Sequence, residues 1–218
     1  MDRVTFGVVR RKPPKSFLFC INKSLMKIVG LCGLIGSGKS TVAQHLVEEF
    51  GFVEYTMAGP LKHACAALFG LSEHQLNDKN AKEEMDPFWH CSPRLIMQRL
   101  GTDIIREHLG TTIPHLQLEE KGGLFTRLFH KWASEQPLGT RVVVSDIRFY
   151  DEAQAVVDLG GSVWRVDRVQ LGEQPDSHSS EAFCQTDSAL FSGSIVNDGL
   201  SLEALKNQVD VIFESLQG

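Results

Sequence analysis

Three features of this 218-residue chain predict an α/β fold, a parallel sheet covered by helices on both faces. Apolar strand-like runs alternate with helix-period segments along most of the length, which is the pattern of parallel strands joined by crossover helices. Two of those runs, Ile28–Leu31 and Val142–Val144, are almost wholly apolar, as strands buried on both faces must be. Between the first run and the first helix lies a glycine-rich turn, and no internal repeat or low-complexity tract interrupts the alternation. The length suits one domain with a sizeable core, and 42% hydrophobic with 22% charged residues is ordinary for a globular chain.

The elements follow in order. Ile28, Val29 and Leu31 read as the first strand, and Val42, Ala43, Leu46, Val47 and Phe50 recur at helical spacing after the turn. Gly51 ends that helix and Phe52–Ala58 reads as a second strand. Pro60 suits a first helical turn, with a helix running to Gly70. Ser72 to His90 is polar with weak periodicity and reads as short helix and loop. Ser92 and Pro93 form a cap and first turn for one helix through to Gly110. Thr111 to Gln136 is helical but broken at Gly122-Gly123. Arg141 to Asp146 is the third strong strand, followed by a helix over 151–160 and a strand over Ser162–Arg168. A polar loop from Val169 to Ser179, a helix from Ser180 and a short strand at Ile195-Val196 come next. The last helix sets Leu202, Leu205, Val209, Ile212, Phe213 and Leu216 on one face.

The turn after the first strand carries Gly33, Gly38, Lys39 and Ser40 in the pattern G-x-x-x-x-G-K-[ST]. Strand, glycine loop and helix start are the context that pattern requires. Backbone N–H groups of the loop (Gly36, Ser37, Gly38, Thr41) converge on phosphate oxygens, and the helix N-terminus favours the anion. Lys39 then reaches the β/γ-phosphates and the Ser40 hydroxyl ligates Mg²⁺. These residues predict a nucleoside-triphosphate site.

The five cysteines are odd in number and scattered, with no C-x-x-C pair, which predicts free thiols in a reducing compartment and no zinc site. No apolar run reaches membrane-spanning length. Charge is uneven: residues 1–25 hold six basic residues against Asp2, so the remainder carries −10 of the overall −5. An acidic body argues against nucleic-acid binding and concentrates the phosphate-binding arginines in a cleft. The basic head is too short in its apolar core for a secretory signal, and Pro13-Pro14 interrupts any amphipathic transit helix. We read 1–25 as a disordered extension and 26–218 as the working domain.

Ligands of open parallel sheets bind beyond the carboxyl ends of the strands, where the loop, Asp146, Arg148, Arg168 and Asn197 all fall. Asp146 reads either as a metal-holding acid or as a strand-end turn residue. Arg148 reads as a phosphate clamp or as the ion-pair partner of Glu152. On the helix from Ser92, Arg94, Gln98, Gly101 and Thr102 share one face, with Arg99, Asp103 and Arg106 on another. The first set is a nucleotide-facing stripe or a solvated surface. Tyr55, Phe88 and Trp89 are candidates for stacking on a base.

The chain resembles the deoxynucleoside monophosphate kinases of phages and bacteria, from about Met26 to the C-terminus. The resemblance is carried by GLIGSGKST (33–41), AGPLK (58–62), SPRLIMQRLGTDIIRE (92–107), VVSDIRFYDEA (143–153), GGSVWRVDR (160–168), HSSE (178–181) and NDGLSLEAL (197–205). It implies a P-loop kinase fold with a short lid, for which the loop after Arg168 is the candidate. It further implies transfer of the ATP γ-phosphoryl group to a deoxynucleoside monophosphate with Mg²⁺ as cofactor, in the cytoplasm. Lys62, Arg94, Gln98, Thr102 and Arg106 look like acceptor-site residues, Lys39, Arg148 and Arg168 like catalytic cations. Ser40 and Asp146 look like the metal site, and Asn197 and Asp198 lie where the donor base would be held. His178 and Glu181 match the family pattern and suit a helix start equally well. Gly59 stands where the family usually has aspartate, so any contact from that side chain is absent here. Dephospho-CoA kinases share the opening loop, and a nucleotide-binding protein without kinase activity is the other alternative. The oligomeric state is open, a dimer included.

Overall fold

The structure, a computed structural model, describes residues 26–118, 123–169, 183–199 and 201–215. Five strands among them form one sheet in the order β2-β3-β1-β4-β5: β1 Lys27–Cys32, β2 Val53–Tyr55, β3 Arg141–Ile147, β4 Ser162–Arg168 and β5 Phe191–Asn197. Every pairing is parallel. The helices are α1 Lys39–Phe50, α2 Gly59–Phe69, α3 Glu73–Asn77, α4 Pro93–Gln98, α5 Leu109–Thr112, α6 Gly123–Ser134, α7 Tyr150–Asp158 and α8 Leu202–Ser215.

Alternate side chains of each central strand feed two cores, because successive Cβ atoms point to opposite faces. On one face Ile28, Val142, Val144 and Val163 pack with Phe129 of α6 and Val156 of α7. On the other, Val29, Leu31, Val143 and Val166 pack with Leu46 of α1 and with Leu205, Val209 and Phe213 of α8. Helices therefore cover both faces as predicted, and β1, β3 and β4 are the strands buried on both. A third, smaller cluster of Cys65, Leu71, Leu76 and Ile96 joins α2, α3 and α4 into a unit beside the sheet.

Several elements differ from expectation for identifiable reasons. β2 is shorter than Phe52–Ala58 because the Asp146 carboxylate accepts the N–H groups of Met57 (2.7 Å) and Ala58 (2.9 Å) and turns the chain into α2. β5 is longer than Ile195-Val196; as an edge strand it buries few side chains, so its apolar signal is weak. The polar Ser72–His90 span begins with α3, held by a capping box between Ser72 and Gln75. Its remainder is turns.

The helix from Ser92 changes winding. α4 passes into a π-helical segment, Arg99–His108, before α5. In an α-helix each step of four residues drifts about 40° round the axis, which would carry Arg106 roughly 120° from Arg94. A π-turn holds more residues and reverses that drift. Arg106 thereby rejoins Arg94, Gln98 and Thr102 on the wall of one cavity, correcting its placement on a different face.

The cysteine expectation is corrected too. Cys32 and Cys184 form a disulfide between the end of β1 and residues 183–185, a short helical turn, with 5.8 Å between their Cα atoms. Cys65 and Cys91 are free. Parity and spacing could not reveal a pair 152 residues apart that the fold brings together, and the inference to a reducing compartment loses its basis. No helix among the described residues is long and apolar enough to cross a membrane. The readings for residues 1–25, the loop over 170–179, His178, Ser180, Glu181 and Leu216 lie outside the described residues.

Candidate active site

The central strand β1 ends in the glycine loop, and α1 begins at Lys39. Gly33 has φ +153°, and a Cβ there would stand 2.4 Å from the Val166 carbonyl oxygen, so only glycine lets the loop leave β1 against β4. The Lys39 ammonium curls back to donate to the carbonyls of Gly33 (2.6 Å) and Leu34 (2.8 Å). From the end of β4, Arg168 donates to the Gly36 carbonyl at 3.1 Å. Asn197, at the end of β5, donates its amide N–H to the Ser37 carbonyl at 2.9 Å and accepts the Gly199 N–H at 3.1 Å. Asn197 thus braces the loop, a task its position in the sequence did not suggest. Ser37 is buried and its hydroxyl has no hydrogen-bond partner among the described residues.

Over this loop lies a cavity of about 530 Å³ lined by Gly36, Gly38, Lys39, Ser40, Thr41, Arg168 and Asn197, together with Lys79 from the turn after α3. Asp198 is not part of its wall. Most of the predicted triphosphate residues are brought together here.

A second cavity, of about 190 Å³, lies beyond the end of β3 against α2, α4 and the π-helical segment. Lys62, Arg94, Gln98, Thr102, Arg106, Asp146 and Arg148, all singled out in the sequence, line it. Gly101 permits the close approach of its two walls, since a Cβ there would stand 2.7 Å from Leu61 Cδ2 of α2. Asn77, Lys82, Phe125 and Phe149, which the sequence did not single out, also line it, as does Glu152, read there only as a partner of Arg148. Lys62 donates to the Asn77 side-chain oxygen at 2.7 Å, and Arg94 pairs with Glu83.

The expected aromatics are elsewhere. Tyr55 packs on Phe129 and Trp132, and Phe88 and Trp89 pack on one another at the surface. Phe149 and Phe125 cover Arg106 instead, with its guanidinium 3.7 and 5.1 Å from their ring centres.

Glu152 organises this end of the site. Its carboxylate pairs with Arg106, which also meets Asp151 at 3.2 Å, and accepts the backbone N–H groups of Arg148 (2.8 Å) and Phe149 (3.2 Å). Its partner is therefore the backbone of Arg148, with the ion pair going to Arg106, and the Arg148 side chain stays on the cavity wall. Burial pushes the Glu152 carboxyl up to about 7 despite Arg106, with Asp146 and Asp151 raising it further. Asp146 is likewise raised by burial, against the Met57 and Ala58 N–H groups and the charges of Arg148 and Lys62.

Because the folded value for Glu152 lies above the unfolded one, the folded state holds a proton that the unfolded chain has released. That contribution to stability is complete below the unfolded value and is lost as pH rises through about 7. Urea midpoints measured from about pH 5 to pH 8 should therefore fall more steeply for the wild type than for Glu152→Gln. Equal slopes would show that this carboxyl does not titrate as described.

A phosphate-binding loop at one strand end, with a cavity lined by cations and amides at the next, defines a phosphotransferase of the P-loop kinase class. No family model matches the chain. Over 161 residues it is 38% identical to a protein of Acanthamoeba polyphaga mimivirus named "Putative deoxynucleotide monophosphate kinase", the match covering 72% of this chain and 81% of that one. The chain belongs to the deoxynucleotide monophosphate kinase family. Among solved structures, TT1252 of Thermus thermophilus is 18% identical with a TM-score of 0.47, covering 89% of this chain and 100% of that one. A Campylobacter jejuni dephospho-CoA kinase is 15% identical with a TM-score of 0.43, covering 88% and 99%. Both are too distant to bear on the site.

Proposed function

We propose that this kinase transfers the γ-phosphoryl group of ATP to the phosphate of a deoxynucleoside monophosphate, giving the diphosphate and ADP. The supporting observation is the second cavity, which Lys62, Arg94 and Arg148 line together with Gln98 and Thr102. Guanidinium and ammonium groups suit a phosphate, while an amide and a hydroxyl suit a base or sugar. Residues 26–218 act as one kinase domain in this reading. It carries with it a cytoplasmic location and no nucleic-acid or membrane partner.

The acceptor phosphate oxygen is already ionised, so no general base is required. It forms the new bond to the γ-phosphorus as the bond to the β–γ bridging oxygen breaks, and that oxygen leaves with ADP. What the chain supplies is alignment and charge neutralisation. A bound triphosphate offers Lys39 and Arg168 stronger partners than the loop carbonyls they now hold. Arg148, steadied through its backbone by Glu152, presents a guanidinium to the acceptor side.

Mg²⁺ fits the donor set present. Ser40 contributes an exposed hydroxyl at the start of α1, and Asp146 a carboxylate at the neighbouring strand end. Each Asp146 oxygen accepts one N–H and keeps lone-pair capacity for the waters such an ion retains. When bound, the ion would neutralise charge on the β- and γ-oxygens. Asn197 and Asp198 flank the donor side, where the ATP base would lie.

Coupled ADP release should be measured on a panel of deoxynucleoside monophosphates, ribonucleoside monophosphates and dephospho-CoA. Turnover of at least one deoxynucleoside monophosphate is expected. Turnover of dephospho-CoA and none of the monophosphates would replace this reading.

A further inference from the structure

The turn between α3 and α4 sends one lysine into each cavity. Lys79 lines the cavity over the glycine loop, and Lys82 lines the one beyond β3. We propose that the Asp78–Lys82 turn is a charge bridge between the two substrates, Lys79 holding the terminal phosphates of the donor and Lys82 the phosphate of the acceptor. The assignment of Lys82 rests on the nucleotide-kinase reading above.

The turn is built to hold both lysines in place. One Asp78 carboxylate oxygen accepts the N–H groups of Asn80 and Ala81, each at 2.9 Å, and the Ala81 side chain is buried. These bonds to backbone hold the Asp78 carboxyl below its ordinary range. The Lys82 N–H donates to the Asp78 carbonyl at 3.3 Å, and the Lys82 carbonyl accepts the Arg94 N–H at 2.9 Å. Lys82 is thereby tied to the first turn of α4, and Asn77, at the entry to the turn, is tied to Lys62 of α2. Three residues apart on a pinned turn, the two side chains diverge into different cavities.

The charges around Lys82 favour an anion. Burial, then Arg94, with Lys62 and Arg148 adding, holds its ammonium below the ordinary value against the opposing pull of Glu83. Lys62, Lys82, Arg94 and Arg148 all line one cavity, where Lys62 donates to neutral Asn77 and Arg94 pairs with the carboxylate of Glu83. A phosphate dianion placed among these groups relieves their mutual repulsion. Lys79 is exposed, as a solvated surface lysine would be, but it lines the same cavity as Lys39 and Arg168. Donor and acceptor phosphates repel as they approach, and a rigid segment with one cation for each lowers that cost as the γ-phosphoryl group passes between them.

The test uses Lys79→Met and Lys82→Met in the full chain, with two readouts: titration of a non-hydrolysable ATP analogue, and steady-state kinetics with varied monophosphate. Lys79→Met should weaken the analogue's Kd about tenfold and lower kcat, leaving the monophosphate KM within about twofold. Lys82→Met should raise the monophosphate KM about tenfold, leaving the analogue's Kd within about twofold, and Lys82→Arg should recover much of that loss. Each variant's intact site reports its folding. Both variants shifting the same constant, or neither shifting any, would overturn the bridge. If the wild type turns over dephospho-CoA alone, the nucleotide-kinase reading and the Lys82 assignment fall together. The analogue titration then still supports or overturns the Lys79 assignment by itself.

Discussion

Lys39→Ala should lose about 10³-fold or more in kcat while the protein stays folded. The Lys39 ammonium is the one loop side chain able to follow charge onto the β/γ-oxygens as the γ-phosphoryl group leaves, and alanine cannot replace it. The cost to the fold is small, because the side chain is only partly buried and its bonds to the Gly33 and Leu34 carbonyls reach only six and five residues back along the chain. Far-UV circular dichroism and the thermal midpoint should therefore stay close to wild type while coupled ADP release vanishes. Wild-type turnover in this variant would show that the loop over β1 is not the donor site. Tight binding of the ATP analogue with no turnover by the wild type on any acceptor would instead favour a nucleotide-binding protein without kinase activity.

Arg148→Met should cost about 10²- to 10³-fold in kcat/KM for the monophosphate. The side chain lines the acceptor cavity, while the backbone N–H that Glu152 accepts survives the substitution. The turn after β3 is thus preserved and only the guanidinium is removed. A loss carried by kcat assigns Arg148 to charge developing during transfer. A loss carried by KM with kcat unchanged assigns it to ground-state binding of the acceptor. Arg148→Lys should recover part of the activity but lack the two-pronged fit of a guanidinium to phosphate. No change in either constant would remove Arg148 from the site.

Much of the fold was legible because parallel strands buried on both faces leave a strong local signature. Ile28–Leu31 and Val142–Val144 could be read as central strands for that reason, and the glycine loop between β1 and α1 announced its own geometry. Edge strands gave weaker signals: β5 fully buries Ile195 alone of its seven residues, and β2 stops where the distant Asp146 carboxylate captures its next two N–H groups. In the candidate site, Arg94, Gln98 and Thr102 were readable as one face because they share a helix. Arg106 joins them only through a change of helical winding that residue periodicity does not encode.

The residues missed are those whose position depends on contacts far apart in the chain. Glu152 looked like a helical neighbour of Arg148, yet its charge partner is Arg106, 46 residues earlier. Lys79 and Lys82 sat in a polar span of weak periodicity, and only the packing of α2, α3 and α4 beside the sheet gives each lysine a cavity. Cys32 and Cys184 meet because β1 ends where the chain returns ahead of β5.

The sequence by itself determined the alternation of strand and helix, the two-sided burial of the central strands and the phosphate-binding loop, since each depends on residues within a few turns of one another. Tertiary structure alone decided which charges face one another: Asp146 with the start of α2, Glu152 with Arg106, Arg168 and Asn197 with the glycine loop, and one lysine of the Asp78–Lys82 turn with each cavity. Burial and electrostatic pairing depend on distance in space, and composition and spacing along a chain do not carry that distance.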